Sequence, residues 1–214
     1  MIGLDIQALQ YVIGITSDEN SLILKSDQIT YIKDAVADDG YTGYSISPDG
    51  TGIIFFVQNL PNETFLVRTN FIQLSKINNI INGRILEENI KKVLTIGQYL
   101  KIGKFKFGIK VIGVAQKLHS DKQIYDNCIK NQFIENINLN NINLDGIGLR
   151  ISHQMDNTYI NQYIEPYFKD KSLLYSIIDA NSLEADEFDA YSICNSSVKI
   201  LDLYNKGLNF FRKE

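Results

Sequence analysis

Few of the residues that commonly perform catalysis or bind metals occur in this chain of 214 residues. Its two cysteines, Cys128 and Cys194, are too few for a disulfide framework and too far apart for a CxxC motif. We expect both to be buried free thiols. With the two histidines, His119 and His153, they match none of the familiar spacings of two-Cys, two-His zinc sites. We therefore expect no cofactor.

Motifs that bind nucleotides or activate nucleophiles are also missing. The sequence has no GxGxxG, GxxxxGK[ST] or HExxH motif. The segment GYSIS at 43–47 lacks the second glycine of a GxSxG nucleophile elbow. Gly103, Gly108 and Gly113 recur every five residues, but no helix start follows them, as a phosphate-binding loop requires. These absences favour a binding protein over an enzyme.

Long apolar runs and linkers are absent from the sequence. No stretch approaches the roughly 18 apolar residues of a membrane span. The first 20 residues have no basic start and carry Asp5 and Gln7 in their apolar part, so we expect no signal peptide and a cytoplasmic location. With three prolines and no Pro/Gly/Ser-rich linker, residues 1–214 are expected to form one compact domain, with 78–103 as the place where it could divide.

Neither sign of charge dominates. The 21 Lys plus Arg and 25 Asp plus Glu give a net charge of -4, and the pI is near 5.3. This balance gives no overall attraction to nucleic acid or to anionic lipid, so we expect no membrane partner. Nucleic-acid binding would need a local basic patch. With 44% hydrophobic residues, the chain can bury the core of a globular protein.

Turn signals predict an antiparallel meander in the first third of the chain. Two segments rich in aromatic and β-branched residues flank the turn-forming triplet Pro48-Asp49-Gly50. Pro61-Asn62-Glu63 predicts a second turn, and a strand follows over 64–74. Together, residues 41–74 predict a three-stranded meander.

Three later segments also predict strands. Residues 104–118 alternate, with Phe105 and Phe107 on one face and lysines on the other. Short runs at 173–180 and 187–194 complete the set.

Helical periodicity predicts two helices that flank the meander. Ser26 can cap the first, whose apolar residues fall at helical spacing and which ends before Gly40. Residues 85–100 form the second, with acids first and lysines later, as the helix dipole favours.

Two more helices are predicted towards the C-terminus. Residues 158–165 look helical up to Pro166, which disfavours helix at the residue before it. The last 20 residues carry an apolar stripe with steps of three and four, and Asn195 or Ser196 can cap them. All these elements predict an α+β fold: an antiparallel sheet built from hairpins and meanders, packed on amphipathic helices that include a long C-terminal helix.

Residues 136–150 repeat a five-residue pattern three times, as NINLN, NINLD and GIGLR. The pattern resembles the pentapeptide-repeat β-helices, with leucine at the centre of each unit. The resemblance covers 15 of 214 residues, whereas a solenoid needs several stacked coils. A hairpin that turns at Asp145-Gly146 explains more, because it places Leu144 opposite Ile147 on one face.

Three groups of residues are candidate sites. The best surface for a partner is an aromatic group in which the first two members, four residues apart, share one side of the predicted helix: Tyr159, Tyr163, Tyr167 and Phe168. Packing against the sheet is the alternative.

A local basic strand is the second candidate. Its lysines could contact phosphates of nucleic acid: Lys101, Lys104, Lys106 and Lys110. Because Phe105 and Phe107 fall on the opposite face, an amphipathic strand with no such role is the alternative.

An acidic group at 179–189 is the third candidate. Asp186 and Asp189, with His153, could bind a hard cation or position a water for hydrolysis. A solvated loop between two strands is the alternative.

The whole pattern favours a non-catalytic binding, assembly or regulatory protein that acts through surface contacts with a protein partner or a second copy. The Ile- and Asn-rich, Pro-poor composition is typical of AT-rich bacterial or phage genomes, so we expect an accessory or structural protein from such a source. A metal-dependent hydrolase or nuclease built from the 179–189 carboxylates and a histidine is the alternative function.

Overall fold

The computed structural model describes residues 6–116, 148–155, 158–166, 169, 173–182 and 189–210. Within these ranges, nine strands form one antiparallel sheet and three helices pack against it, which confirms the predicted α+β class. No helix in the same ranges is long and apolar enough to cross a membrane.

The sheet places the first strand of the chain at its centre. The strands are β1 Ile6–Thr16, β2 Gly43–Ile46, β3 Gly52–Val57, β4 Leu60–Arg68, β5 Phe71–Ile81, β6 Lys106–Gln116, β7 Leu149–Met155, β8 Thr158–Pro166 and β9 Leu173–Ser182. The helices are α1 Ser26–Val36, α2 Gly83–Tyr99 and α3 Ala190–Phe210. The strand order is β2-β3-β4-β5-β1-β6-β9-β8-β7.

All three helices lie on the same face of the sheet. Tyr11, Ile13 and Ile15 of β1 are buried towards this face, and Asn89 of α2 donates a hydrogen bond from Nδ2 to the Tyr11 hydroxyl oxygen at 2.5 Å. Over β2, Lys33 of α1 donates to the Tyr44 hydroxyl. The third helix packs beside α2 and buries three side chains in the same core: Ile200, Leu201 and Tyr204.

The two predicted helices near the meander are confirmed. Asn82 caps α2, because its Oδ1 accepts a hydrogen bond from the backbone N–H of Ile85 at 2.9 Å. In α1, Ser26 is the first helical residue, and Lys25 occupies the cap position instead. Gly40 follows α1 with φ 78°, a left-handed conformation that glycine adopts without strain.

The predicted helix at 158–165 is wrong, because these residues form β8. Residues four apart share a face in a strand as well as in a helix, so Tyr159 and Tyr163 fit both periods. Thr158, Ile160 and the alternate residues after them are buried, which is the two-residue period of a strand. The tyrosine and isoleucine content also favours a strand.

The predicted meander has one more strand than expected. The turn predicted at Pro61-Asn62-Glu63 lies instead at residues 58–59, and β4 begins at Leu60. The pairing register of β3 with β4 shifts between Phe56 and Val57, and such an irregularity tolerates proline in a strand. A further turn at 69–70 divides the predicted strand 64–74 into β4 and β5.

The start of the C-terminal helix also differs from the prediction. The strand expected at 187–194 and the cap at Asn195 or Ser196 are wrong, because α3 begins at Ala190. Asp189 precedes it, and its Oδ1 accepts hydrogen bonds from the backbone N–H groups of the second and third helical residues at 3.0 and 3.2 Å. A carboxylate at this position stabilises a helix start.

The strands predicted at 104–118 and 173–180 are confirmed as β6 and β9. The predicted hairpin turn at Asp145-Gly146 lies outside the described residues, and so does most of the repeated segment 136–150. The last two residues of that segment begin β7.

Candidate functional site

The face of the sheet opposite the helices carries no helix among the described residues. Register places Gly14 of β1, Lys110 of β6, Asp179 of β9 and Tyr159 of β8 on this side, which we call the open face. Apolar side chains such as Ile177 are half-buried there instead of fully buried. The open face therefore has the mixed apolar and polar character of a contact surface.

The two faces of the lysine-bearing strand β6 differ as the alternation of its sequence predicted. Phe105 and Phe107 are buried, whereas Lys106 and Lys110 lie on the open face. Lys101 and Lys104 precede β6 and are exposed, and Lys101 has φ 57° in the turn after α2. Two of the four lysines thus share one face of the sheet.

Two of the four aromatic candidates also lie on the open face. Tyr159 is 49% exposed. Tyr163 is half-buried, and the guanidinium carbon of Arg150 in β7 lies 5.1 Å from its ring centroid, a cation–π contact. Tyr167 and Phe168 lie outside the described residues. The tyrosines and the lysines, which belong to separate candidate groups in the sequence, therefore occupy the same face.

A depression of about 270 Å³ lies at the centre of the open face. Gly14 and Gly108 are opposite each other in β1 and β6 and line it. Phe71 and Gln73 of β5 line one side, and the other side has polar residues of β6 and β9: Lys106, Lys110, Asp179 and Asn181. Asn181 pairs in register with both Gly108 and Tyr159, so the tyrosine is two strands away from Gly108.

The lysines of the depression differ in their partners. Lys106 Nζ lies 3.3 Å from Asp18 Oδ2, and both side chains are well exposed. Lys110 forms no ion pair within the described part of the chain, although Asp179 is opposite it in register. Asp179 instead accepts a hydrogen bond from Asn181 Nδ2 at 3.3 Å. Lys110 is thus available to an anion from outside.

The structure describes two of the three residues of the predicted metal set, His153 and Asp189. His153 lies on the helix-covered face of β7, because it is opposite the buried Ile160. Asp189 caps α3 and Asp179 lies on the open face. Asp186 lies outside the described residues. Across the described ranges, no group of three or more His, Cys, Asp or Glu side chains is placed to hold a metal ion.

Three polar side chains form a buried polar line on the helix-covered face, and this line was not predicted from the sequence. It runs diagonally from His153 to Gln162, which is 4% exposed, and Ser176, which is 0% exposed. Three of their atoms have no hydrogen-bond partner among the residues described: His153 Nε2, Gln162 Nε2 and Ser176 Oγ. Gln162 and Ser176 occupy strand positions that otherwise hold apolar residues, and alternation alone predicts only their face.

The β1 and β5 side of the depression was not predicted from the sequence; it consists of Gly14, Phe71 and Gln73. Alternation of Tyr11, Ile13 and Ile15 could have predicted β1. It could not have predicted that β6 is its neighbour, because the pairing joins residues about 95 positions apart along the chain.

Comparisons with known proteins add no relative to this geometry. The chain matches no family model, no curated protein and no solved structure. Function is therefore inferred from the open face alone.

Proposed function

We propose that this protein is a non-catalytic binding protein whose open face docks an acidic protein partner. One observation supports this most: tyrosines and lysines from distant parts of the sequence share the one sheet face that the three helices leave uncovered. Tyr159 exposes half of its side chain there, beside half-buried apolar residues. Tyrosine is enriched at protein interfaces because it buries a large apolar ring and keeps a polar hydroxyl.

Charge favours an acidic partner over a second copy of the chain. By register, strand positions on the open face hold four basic residues and two acidic ones: Arg68, Lys106, Lys110 and Arg150, with Glu165 and Asp179. The chain as a whole has a net charge of -4. A twofold dimer through this face would bring like charges together, whereas an acidic surface would complement them.

A nucleic-acid strand fits the same face less well. It carries one phosphate per nucleotide, and Glu165 and Asp179 would repel phosphates that pass along β8 and β9. A protein partner can present its carboxylates at chosen positions and avoid these two residues.

The test compares capture of partners by matched variants. Tyr159→Ser with Tyr163→Ser removes both rings from the open face. Tyr191→Ser is the control, because Tyr191 is 78% exposed in the first turn of α3. Affinity capture from cells that make the protein naturally, followed by binding of the purified partner, should show one acidic protein bound by the wild type and by the control. The double variant should bind it at least about tenfold more weakly.

Three results would contradict the proposal. Equal binding of the partner by the double variant would exclude the open face. A captured species that is nuclease-sensitive and released steeply by salt would indicate nucleic acid instead. A dimer in solution that becomes a monomer in the double variant would indicate a second copy as the occupant.

We also propose the cytoplasm of a bacterial or phage-infected cell as the place of action. Two cysteines in 214 residues suit a reducing compartment, where disulfides are rare. Fractionation of such cells, with detection of the native protein, tests the location.

A further inference from the structure

We infer that the central depression is a subsite for a single carboxylate side chain of the partner, an aspartate or a glutamate on its aliphatic stem. The inference rests on the proposed function, because it names the group that the open face would receive. Its support is the shape and the charge of the depression.

The shape of the depression comes from residues that lack a side chain at its floor. Gly108 has no Cβ, and a Cβ built there would lie closest to the end of a side chain, Asn181 Oδ1 at 2.8 Å, with the backbone oxygen of Ala180 at 3.6 Å. Gly14 is its neighbour across the pair of strands. Glycine within a strand commonly marks a place where a ligand or another chain approaches the backbone closely. Phe71 and Val12 supply apolar walls for the stem of an entering side chain.

The charge of the depression suits one anion. Two lysines and one aspartate line it, and Lys106 is paired with Asp18, so Lys110 is the cation that an entering anion would meet. Lys110 has no ion-pair partner among the described residues, so a carboxylate that binds it displaces no existing pair. Asp179 lies on the far side of Lys110 and would repel a second anion. Thr16 and Gln73 add side-chain hydrogen-bond donors near the same space.

The test titrates the purified full-length protein with phenylacetate, a ring that carries one carboxylate, and follows backbone amides by NMR. Resonances of Gly14, Gly108 and Lys110 should shift together and saturate, with a dissociation constant of the order of millimolar. Benzylamine has the same ring with a positive charge, and it should cause no saturable shift. Equal binding of both probes, or no saturation by phenylacetate, would overturn the inference.

Four variants test the charges and the floor. Lys110→Met should weaken phenylacetate binding by about tenfold, and Asp179→Asn should strengthen it by about threefold, because one removes an attracting charge and the other a repelling one. Gly108→Ala adds a methyl group to the floor and should weaken phenylacetate binding. Lys91→Met on α2 is the matched control and should bind as the wild type does. Unchanged affinity in Lys110→Met or weaker binding in Asp179→Asn would overturn the inference.

Phenyl phosphate tests whether the depression prefers a phosphate to a carboxylate. Phenyl phosphate that binds more than about tenfold tighter than phenylacetate would overturn the assignment to a carboxylate. The subsite and the proposed function can fail separately. If the wild type does not bind phenylacetate but the Tyr159→Ser, Tyr163→Ser variant loses the partner, the proposed function stands and the subsite is excluded. If phenylacetate binds saturably but the same double variant still captures the partner, the depression binds anions without contacting the partner, and the inference is contradicted.

Discussion

Gly14 of β1 and Gly108 of β6 are directly opposite each other at the centre of the sheet, yet an added side chain would meet different surroundings at the two positions. A Cβ on Gly14 would lie 2.4 Å from the backbone carbonyl oxygen of Ile72, which cannot move without moving β5. A Cβ on Gly108 would meet the flexible amide of Asn181. The first glycine is therefore needed by the fold, whereas at the second position only a side chain has to move.

We expect Gly14→Ala and Gly108→Ala to differ in stability for this reason. Gly14→Ala should lower the free energy of unfolding by about 1–3 kcal/mol, because the backbone has to shift. Gly108→Ala should change it by less than about 1 kcal/mol, because Asn181 can take another rotamer. Urea unfolding of both variants measures the difference, and equal losses would contradict this account of the two positions.

The buried polar line predicts a stabilising substitution. Ser176 is fully buried and its Oγ has no partner among the described residues, so Ser176→Ala should raise the free energy of unfolding by about 1 kcal/mol. Ser75 is the matched control: its Oγ donates to the Asn62 carbonyl oxygen at 2.7 Å and accepts from Gln10 Nε2 at 3.0 Å. Ser75→Ala should therefore destabilise the protein by about 1–3 kcal/mol. If Ser176→Ala is as destabilising as Ser75→Ala, the hydroxyl of Ser176 has a partner in solution.

Cys194 is predicted to be a slow nucleophile. Burial, and next the nearby Glu87 carboxylate, raise the pKa of its thiol to about 11. At pH 8 the thiolate population is then about a hundredfold below that of a thiol with a pKa of 9.0, and the greater reactivity of a more basic thiolate restores only part of the rate. In a Cys128→Ser background, iodoacetamide should modify folded Cys194 about tenfold more slowly than the unfolded chain.

The role of Glu87 can be tested in the same assay. Glu87→Gln removes a negative charge that raises the thiol pKa, so it should speed the alkylation of Cys194. An unchanged rate in this variant, or a folded rate equal to the unfolded one, would contradict the assigned cause.

Alkaline pH should destabilise the fold through two buried tyrosines. Burial raises the pKa of Tyr11 and of Tyr41 well above 10, and nearby carboxylates add to it. Their contribution to stability is present below the unfolded pKa of about 10, and it is lost as pH rises towards the folded pKa, because the unfolded chain then releases protons that the folded chain retains. Above about pH 10, each tyrosine should lower the free energy of unfolding by about 1 kcal/mol per pH unit.

Urea unfolding at pH 9, 10 and 11 measures this loss. Above about pH 10, Tyr11→Phe should reduce the slope of unfolding free energy against pH by the contribution of one tyrosine. Tyr191→Phe, on an exposed side chain, is the control and should leave the slope as it is in the wild type. A stability that stays constant from pH 9 to 11 would contradict the prediction.

The sequence predicted the fold class and most helices because these depend on local periodicity. The alternation of phenylalanine and lysine in β6 correctly predicted which side of that strand is buried. The helix predicted at 158–165 failed because residues four apart share a face in both helix and strand. The predicted start of α3 was wrong because Asp189 caps the helix six residues before the expected cap at Asn195.

The candidate site could be predicted only in part, because strand order is not a local property. Alternation placed Lys106 and Lys110 on one face of a strand, and helical spacing placed Tyr159 and Tyr163 on one side of a predicted helix, but no periodicity shows that the two groups share a face. The two groups are joined by the pairing of β6 with β9 and of β9 with β8. Such pairings bring together residues far apart along the chain, and only the folded sheet reveals them.

The central claim is that the open face, and not the helix side, contacts the partner. The most direct measurement is photo-crosslinking in cells that make the protein naturally, with p-benzoylphenylalanine in place of Tyr159 on the open face or of Tyr191 on α3. We predict one discrete covalent adduct with another protein from position 159 and none from position 191. An adduct from position 191 with none from position 159 would contradict the claim.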